Sequence, residues 1–175
     1  MDDAVGTRVA VRTPPLIRGG DVTTVRTPAG PLSIAWDGEA VVAAGFTTDL
    51  DRLDVPDGPT EPVPDTVLDA VGRYFAGDVT AMDEVPVSQR GTPVQEEVWR
   101  ALRSIAPGTV MSYGDVARAI GRPRAARAVG SACGSNHVAL FVPCHRVVRS
   151  DGTLGGYGWG LDVKEVLLGV EATAG

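Results

Sequence analysis

The sequence has little cysteine, histidine or lysine, and this scarcity excludes several kinds of protein. Its 175 residues include two cysteines, two histidines and one lysine. Two cysteines cannot build a disulfide framework. A zinc site would have to use every cysteine and histidine in the chain (Cys133, His137, Cys144 and His145), and their spacing fits no common zinc motif. We therefore predict neither a metal nor a cofactor.

Long hydrophobic runs are also missing. No apolar stretch approaches the roughly 20 residues that a membrane span needs, so no membrane association is predicted. The first residues are acidic and the segment 1–20 is broken by proline and glycine pairs, unlike a signal peptide. We expect a cytoplasmic protein with reduced thiols. No heptad pattern for dimerisation is visible, so a monomer is expected.

Positive charge is scarce in the chain as a whole but concentrated in its middle. The net charge is −6. Residues 1–87 hold 6 Arg against 15 Asp and Glu, whereas residues 88–150 hold 9 Arg against 3. An arginine-rich segment in an acidic chain indicates an anionic partner, and nucleic acid is the candidate. A solvated arginine surface without a partner is the alternative.

Turn and periodicity signals predict an α+β protein. Strand-like alternation predicts three strands between residues 22 and 46, with a hairpin turn at Asp37-Gly38. Apolar residues at helical spacing predict a helix over residues 66–77, closed by Gly77. A small N-terminal β-sheet lobe with one helix thus precedes a mainly helical C-terminal domain. The predicted divisions are a leader (1–20), an N-terminal α/β lobe (21–87) and a C-terminal domain (88–175).

The C-terminal domain contains a helix-turn-helix candidate. Residues 112–121 predict a short helix stopped by Gly121, and a second helix is predicted to start after Pro123. Two short helices joined by a glycine-containing turn are typical of a helix-turn-helix, although an ordinary helical hairpin has the same pattern. Arg124 and Arg127 are predicted in the first turn of the second helix, where such helices contact DNA.

The string VPCHRVV places a cysteine beside a histidine. The run VALFVPC predicts a buried strand that Pro143 ends, so that Cys144 is presented at its tip. A free cysteine is usually a small buried hydrophobe, but an imidazole next to it indicates a nucleophile. Adjacent strand residues point apart, which favours action of His145 through a water molecule. Spacing leaves three carboxylates open as its partner: Asp162, Glu165 and Glu171.

Taken together, these motifs resemble the methylated-DNA–protein-cysteine methyltransferases, or O6-alkylguanine-DNA alkyltransferases. The resemblance is carried by PCHRV, by YGDVARAIGRPRAARAVG, by Asn136 eight residues before Cys144, and by GGYG. It is strong from about Gly91 to Glu171 and weaker from Val22 onward. It implies a protein that moves the alkyl group of O6-alkylguanine in double-stranded DNA to its own cysteine, once per molecule.

The resemblance also implies a role for individual residues. Cys144 is the expected acceptor thiolate, His145 the base that deprotonates it through water, and Glu171 the carboxylate that orients His145. Tyr113 is expected to donate a proton to the leaving base. Asn136 is expected to brace the turn that leads to the active-site segment.

Recognition of DNA is expected to involve base flipping and the minor groove. Arg127 would fill the space that the flipped base leaves, and its helix would lie in the minor groove. The other expected DNA-binding positions are Arg124, Ala126, Ala128 and Gly130. The expected pocket wall consists of Val142, Pro143, Tyr157, Gly158 and Trp159.

This sequence departs from the family pattern in places, and other functions compete. Trp159 stands where the family usually has glycine, which predicts an effect on the range of alkyl groups, and His137 replaces a proline.

The alternatives are a non-catalytic binder of alkylated DNA, a helix-turn-helix regulator with Cys144 as a sensor, and a cysteine hydrolase. The presence of Cys144 argues against the first. The lack of a visible dimerisation heptad argues against the second, and the adjacency of the Cys–His pair against the third.

Overall fold

The computed structural model describes residues 21–174, so the predicted leader over residues 1–20 lies outside the described residues. The chain begins with an antiparallel sheet in the order β1-β2-β3. Its strands are β1 (Val22–Thr27), β2 (Gly30–Trp36) and β3 (Val41–Gly45). The Asp37-Gly38 turn joins β2 to β3: Gly38 has a φ of 99°, and Asp37 Oδ1 accepts two backbone N–H bonds. The predicted strands and their hairpin turn are confirmed.

Helix α1 (Asp65–Phe75) completes the N-terminal part. It buries one apolar face, and Gly77 follows its end with a φ of 109°, as predicted. Tyr74 is the largest side chain on that face and is 0% exposed. The face therefore contributes both apolar surface and one buried hydroxyl to the interior.

The C-terminal part is mainly helical, which confirms the predicted α+β class. Its elements are α2 (Pro93–Arg103), β4 (Met111–Ser112), α3 (Tyr113–Ala119), α4 (Ala126–Gly134), β5 (Val147–Val148) and α5 (Leu161–Thr173). Both α2 and α3 begin with a capping box, Thr92 with Gln95 and Ser112 with Asp115. Strands β4 and β5 pair in parallel. The short helices α3 and α4 form the predicted helix pair.

Two local predictions are wrong. The run from Val138 to Cys144 is buried as expected, but it is not a strand: only Val138 forms a bridge, and Leu140 has a φ of 72°. A left-handed residue cannot continue an extended strand, so the chain turns there and Cys144 begins a 3-10 turn (Cys144–Arg146). Arg124 precedes α4, because the chain after Pro123 first makes a turn that Ala125 N–H closes onto Arg122 O.

One hydrophobic core extends through both predicted parts of the chain. Ala44 of β3 bridges to Val138, and Val41 bridges to Val87. The predicted domain boundary between residues 87 and 88 stays a prediction. Between residues 21 and 174, no helix combines the length and apolar character required to cross a bilayer.

Candidate active site

Cys144 lies on the 3-10 turn beside a cavity of about 300 Å³. Its N–H donates to Val142 O at 2.9 Å, and Val147 N–H donates to Cys144 O. The residue is 9% exposed. Burial raises the pKa of the Cys144 thiol, while the Asn136 side chain and the charge of Lys164 act to lower it. The resting group is therefore a neutral thiol, which needs a base before it can act as a nucleophile.

His145, the next residue, is held in a defined tautomer. Its Nε2 lies 2.8 Å from Glu171 Oε1, and the two side chains are almost fully buried. Burial lowers the pKa of His145, so the ring is neutral at pH 7. Since a carboxylate only accepts hydrogen bonds, Nε2 carries the proton and Nδ1 keeps its lone pair. Nδ1 is buried, and within residues 21–174 nothing hydrogen-bonds to it.

Glu171 is held by donors from several parts of the chain. Tyr74 Oη donates to it at 2.8 Å, and Arg146 donates through Nε at 3.0 Å and Nη2 at 2.8 Å. Burial by itself would raise the pKa of Glu171, but His145 and Arg146 outweigh it and hold the pKa at about 2. The carboxylate is therefore ionised at neutral pH and fixes the orientation of the imidazole.

The structure decides among the three carboxylates that spacing left open. Asp162 and Glu165 are exposed on α5, whereas Glu171 is 2% exposed and reaches His145. Arg146 is fixed on its other side by a bond from Nη1 to Ile105 O at 2.6 Å. Glu171 is thus the residue that orients the ring.

Asn136 braces the segment between α4 and Cys144 with all its polar groups. Its Nδ2 donates to Val142 O at 2.9 Å, and its Oδ1 accepts from Val138 N–H and from Gln89 Nε2. The next residue, His137, lies edge-on to Trp99 with 5.7 Å between ring centroids. An aromatic contact therefore supports this turn where the sequence lacks the proline.

Tyr113, the first residue of α3, lies between α4 and the glycine-rich loop that follows β5. A Cβ at Gly155 would stand 3.1 Å from the Tyr113 hydroxyl, and one at Gly130 would stand 3.9 Å from its ring. Burial raises the pKa of Tyr113, so it remains protonated at neutral pH. A protonated phenol at this position can serve as a proton donor.

Trp159 closes one side of the cavity by packing onto the N-terminal sheet. A Cβ at Gly45 would come within 2.4 Å of the indole, so this glycine of β3 is what admits the ring. The guanidinium carbon of Arg52 lies 5.0 Å from the indole centroid, a cation–π distance. The bulky side chain therefore contacts both the sheet and Arg52 where it lines the cavity.

The expected pocket residues divide into two groups. Tyr157, Gly158 and Trp159 line the cavity together with Cys144. Val142 and Pro143 do not line it and are buried beside the thiol. The remaining lining residues are Arg52, Leu53, Asp54, Cys133, Gly134, Ser135, Asn136 and His137.

The expected DNA-contacting residues lie on or just before α4. Arg127 is exposed on α4, Arg124 is exposed ahead of it, and the small residues Ala126, Ala128 and Gly130 are half-buried. Among residues 21–174, salt bridges involve neither Arg124 nor Arg127, whereas Arg118 pairs with Asp115. The two unpaired arginines can therefore meet an external anion.

Sequence reasoning missed Tyr74, Arg146 and Lys164. Lys164 is 0% exposed and donates to three backbone carbonyls. A signal was present: Lys164, Leu167 and Glu171 recur at helical spacing and are all buried on one face of α5. A lysine and a glutamate at helical spacing from an apolar residue can therefore indicate a helix face that brings polar groups into the interior.

Comparisons with known proteins point to one family. The family model "6-O-methylguanine DNA methyltransferase, DNA binding domain" matches residues 93–173. A methylated-DNA–protein-cysteine methyltransferase of Methanosarcina acetivorans is 39% identical over 148 residues, 83% of this chain and 94% of that protein. The Shigella flexneri protein of the same name is 50% identical over 105 residues, 60% of this chain and 61% of its own length. The crystal structure of Mycobacterium tuberculosis OGT in complex with DNA superposes with a TM-score of 0.75 at 39% identity, covering 86% of this chain and 92% of that one.

Proposed function

The chain belongs to the methylated-DNA–protein-cysteine methyltransferases, and on this basis we propose that it repairs O6-alkylguanine in duplex DNA by taking the alkyl group onto Cys144. The observation that carries the proposal is the buried thiol beside a cavity, on the same turn as His145. Glu171 accepts a hydrogen bond from Nε2 of this histidine and so leaves the lone pair on Nδ1 free. A protein that only binds alkylated DNA would not require this arrangement.

The proposed reaction is an in-line displacement at the alkyl carbon. Through a bridging water, His145 Nδ1 takes the thiol proton, and Glu171 stabilises the imidazolium that forms. The thiolate sulfur bonds to the methyl carbon while the bond from carbon to guanine O6 breaks. The electron pair of that bond stays on guanine, which takes a proton from Tyr113. The tyrosinate regains a proton from solvent and the imidazolium releases one to solvent, so both side chains return to neutral. The products are S-methylcysteine and unmodified guanine.

We propose that α4 delivers the damaged base to the cavity. The target carbon is inaccessible in stacked DNA, so the nucleotide must rotate out of the helix. Arg127, exposed and without a salt bridge to any of residues 21–174, is suited to enter the stack in its place, and the small half-buried residues around it permit a close approach to the minor groove. Among the residues that the structure describes, no side chain caps the N-terminus of α4, so its N–H groups can meet phosphate.

We further propose a single-use monomer that works in the cytoplasm. The product is a thioether, which neither water nor cellular thiols cleave, so each molecule reacts once. Cys133 and Cys144 are both free, and a thiol acceptor requires a reducing compartment. Among the described residues, Val110 and Leu161 are the exposed large hydrophobic side chains, too little for an apolar dimer interface.

The proposal is tested by mass spectrometry of the intact protein and of its peptides, after incubation with duplex DNA that contains one O6-methylguanine. We expect a gain of about 14 Da, one methyl group replacing a hydrogen, on the peptide that contains Cys144, together with repaired guanine. Unmethylated duplex of the same sequence is the control. An unchanged mass in a folded and reduced sample would refute the function.

The role of α4 predicts a selective effect of Arg127→Ala. We expect transfer from duplex DNA to fall at least tenfold, while transfer from free O6-methylguanine changes little, because only the duplex requires flipping. If Arg127 also neutralises a phosphate, the slope of log affinity against log salt concentration should become less steep by about one. Arg118→Ala is the matched control, since Arg118 is already paired with Asp115. Equal losses on duplex and free base would contradict the role.

A further inference from the structure

A second and larger cavity lies beside the one that contains the thiol. Its volume is about 520 Å³, and Asp54 and His137 line both cavities. The loop that precedes α1 supplies most of its other lining residues, and Val42 of β3 adds an apolar side chain. We call this cavity the acidic groove. It adjoins the proposed active site, but the proposed reaction does not use it.

The acidic groove combines unpaired charges with an unsatisfied hydroxyl group. It is lined by Asp37, Asp54 and Asp57 against one arginine, Arg90. Within the described part of the chain, none of these four side chains forms a salt bridge. Thr60, another lining residue, has a buried Oγ1 that finds no hydrogen-bond partner there. Since buried hydroxyl groups are normally hydrogen-bonded, the groove suits a ligand that brings positive charge and hydrogen-bond donors.

The leader, residues 1–20, joins the sheet beside this groove. Val22 pairs with Ala35, and because β1 and β2 are antiparallel, the chain before Val22 is directed toward Trp36. Trp36 in turn bridges to Glu61, which follows Thr60 in the loop. The point where the leader meets the sheet is therefore adjacent to the loop that lines the groove.

The leader has the charge that the groove lacks. Residues 4–20 contain three arginines, Arg8, Arg12 and Arg18, and no aspartate or glutamate. About 10 Å of extended chain separates Arg18 from Asp21. A segment tethered so close has an effective concentration of about a millimolar, so weak contacts are sufficient to hold it. Duplex DNA is a poor occupant by comparison, because the three carboxylates repel phosphate.

We propose that the acidic groove binds the arginines of the leader within the same molecule. Guanidinium groups meet the carboxylates of Asp54 and Asp57 and donate a hydrogen bond to Thr60 Oγ1. Because Asp54 also lines the thiol cavity, the bound leader brings positive charge to the edge of the proposed active site. The inference goes beyond alkyl transfer and is tested without DNA, so it stands or falls independently of the proposed function.

Hydrogen exchange of the full chain tests the contact from the side of the leader. In a variant with all three leader arginines changed to glutamine, we expect the amides of residues 54–61 to exchange about fivefold faster, because three surface ion pairs are lost. The substitutions lie outside residues 21–174, so they leave the packing of the described fold untouched. Arg26→Gln is the control, since Arg26 is exposed at the opposite end of β1. Unchanged exchange of residues 54–61 in the triple variant would refute the proposal.

Trypsin cleavage after the leader arginines tests the contact from the side of the groove. Bound arginines are protected, so the double variant Asp54→Asn/Asp57→Asn should be cleaved in the leader about fivefold faster than the unaltered chain. Asp162→Asn/Glu165→Gln is the matched control, because it removes two exposed carboxylates on α5. The protection should weaken as salt rises and should not depend on protein concentration. Equal cleavage of the two double variants would overturn the proposal, and so would protection that increases with concentration, which would assign the groove to a second copy.

Discussion

Replacing Cys144 with alanine is expected to abolish alkyl transfer completely while leaving DNA affinity within about threefold of the unaltered chain. Sulfur is the atom that forms the new bond, and the proposed role of the neighbouring His145 is proton transfer only. The proposed DNA contacts lie on α4, apart from the turn, so they do not depend on the thiol. Mass spectrometry measures transfer, and fluorescence anisotropy with labelled methylated duplex measures affinity.

Cys133→Ala is the matched control, because Cys133 is a second thiol that lines the same cavity. Burial raises the pKa of Cys133, and no histidine is hydrogen-bonded to it among residues 21–174. This variant should keep nearly full transfer. If Cys133 is methylated in the Cys144→Ala protein, or if that variant still repairs DNA, then the assignment of Cys144 as the acceptor is wrong.

Replacing Glu171 with glutamine is expected to produce the largest combined loss of stability and activity. The carboxylate accepts from His145, Arg146 and Tyr74, and the change leaves the buried Arg146 cation without its counter-charge. Removing one partner of a buried ion pair costs about 3–5 kcal/mol of unfolding free energy. Transfer should slow by about a hundredfold, because the histidine loses the group that orients it.

Chemical denaturation and single-turnover kinetics check both effects. Glu165→Gln is the control on the same helix: Glu165 is exposed, and its substitution should change stability by less than about 0.5 kcal/mol. If Glu171→Gln behaves like this control, then the buried network does not support the fold or the base.

The same carboxylate predicts how stability depends on pH. The pKa of Glu171 is about 2 in the folded protein, below its ordinary value of 4.5. A depressed pKa stabilises the folded state above the ordinary value, and the contribution is lost as pH falls from 4.5 toward 2. Burial also lowers the pKa of His145, so its contribution starts to decrease below the ordinary value of 6.5. The free energy of unfolding of Glu171→Gln, measured by chemical denaturation, should therefore fall less steeply as pH decreases below 4.5 than that of the unaltered chain.

Local signals predicted most elements of the fold. The Asp37-Gly38 turn, Gly77 after α1, and Gly121 after α3 each have positive φ, and each was readable because only glycine adopts such angles cheaply. The strand expected before Cys144 is absent because a residue other than glycine has a positive φ there. Leu140 adopts a left-handed conformation, which a leucine in a sequence does not predict, so the turn could be identified only from the three-dimensional structure.

The site was predictable where a motif carried it and not where distant residues meet. Cys144, His145 and Glu171 were identified through their resemblance to a family, and the structure brings the latter two within hydrogen-bonding distance. The contact of Tyr74 with Glu171 joins residues 97 positions apart, and no local pattern encodes such a pair. Lys164 was overlooked because lysine is almost always exposed, so its sequence position suggested surface.

The Tyr74–Glu171 hydrogen bond has a consequence for engineering covalent protein tags from this chain. A minimal tag cut at Pro93, where the family model begins, would lose α1 and with it the phenol that completes the carboxylate's coordination. The remaining fragment would also expose core surface that α1 and the sheet now cover. A self-labelling module must therefore retain the Tyr74 hydroxyl or a substitute donor, and also the N-terminal residues that cover the core.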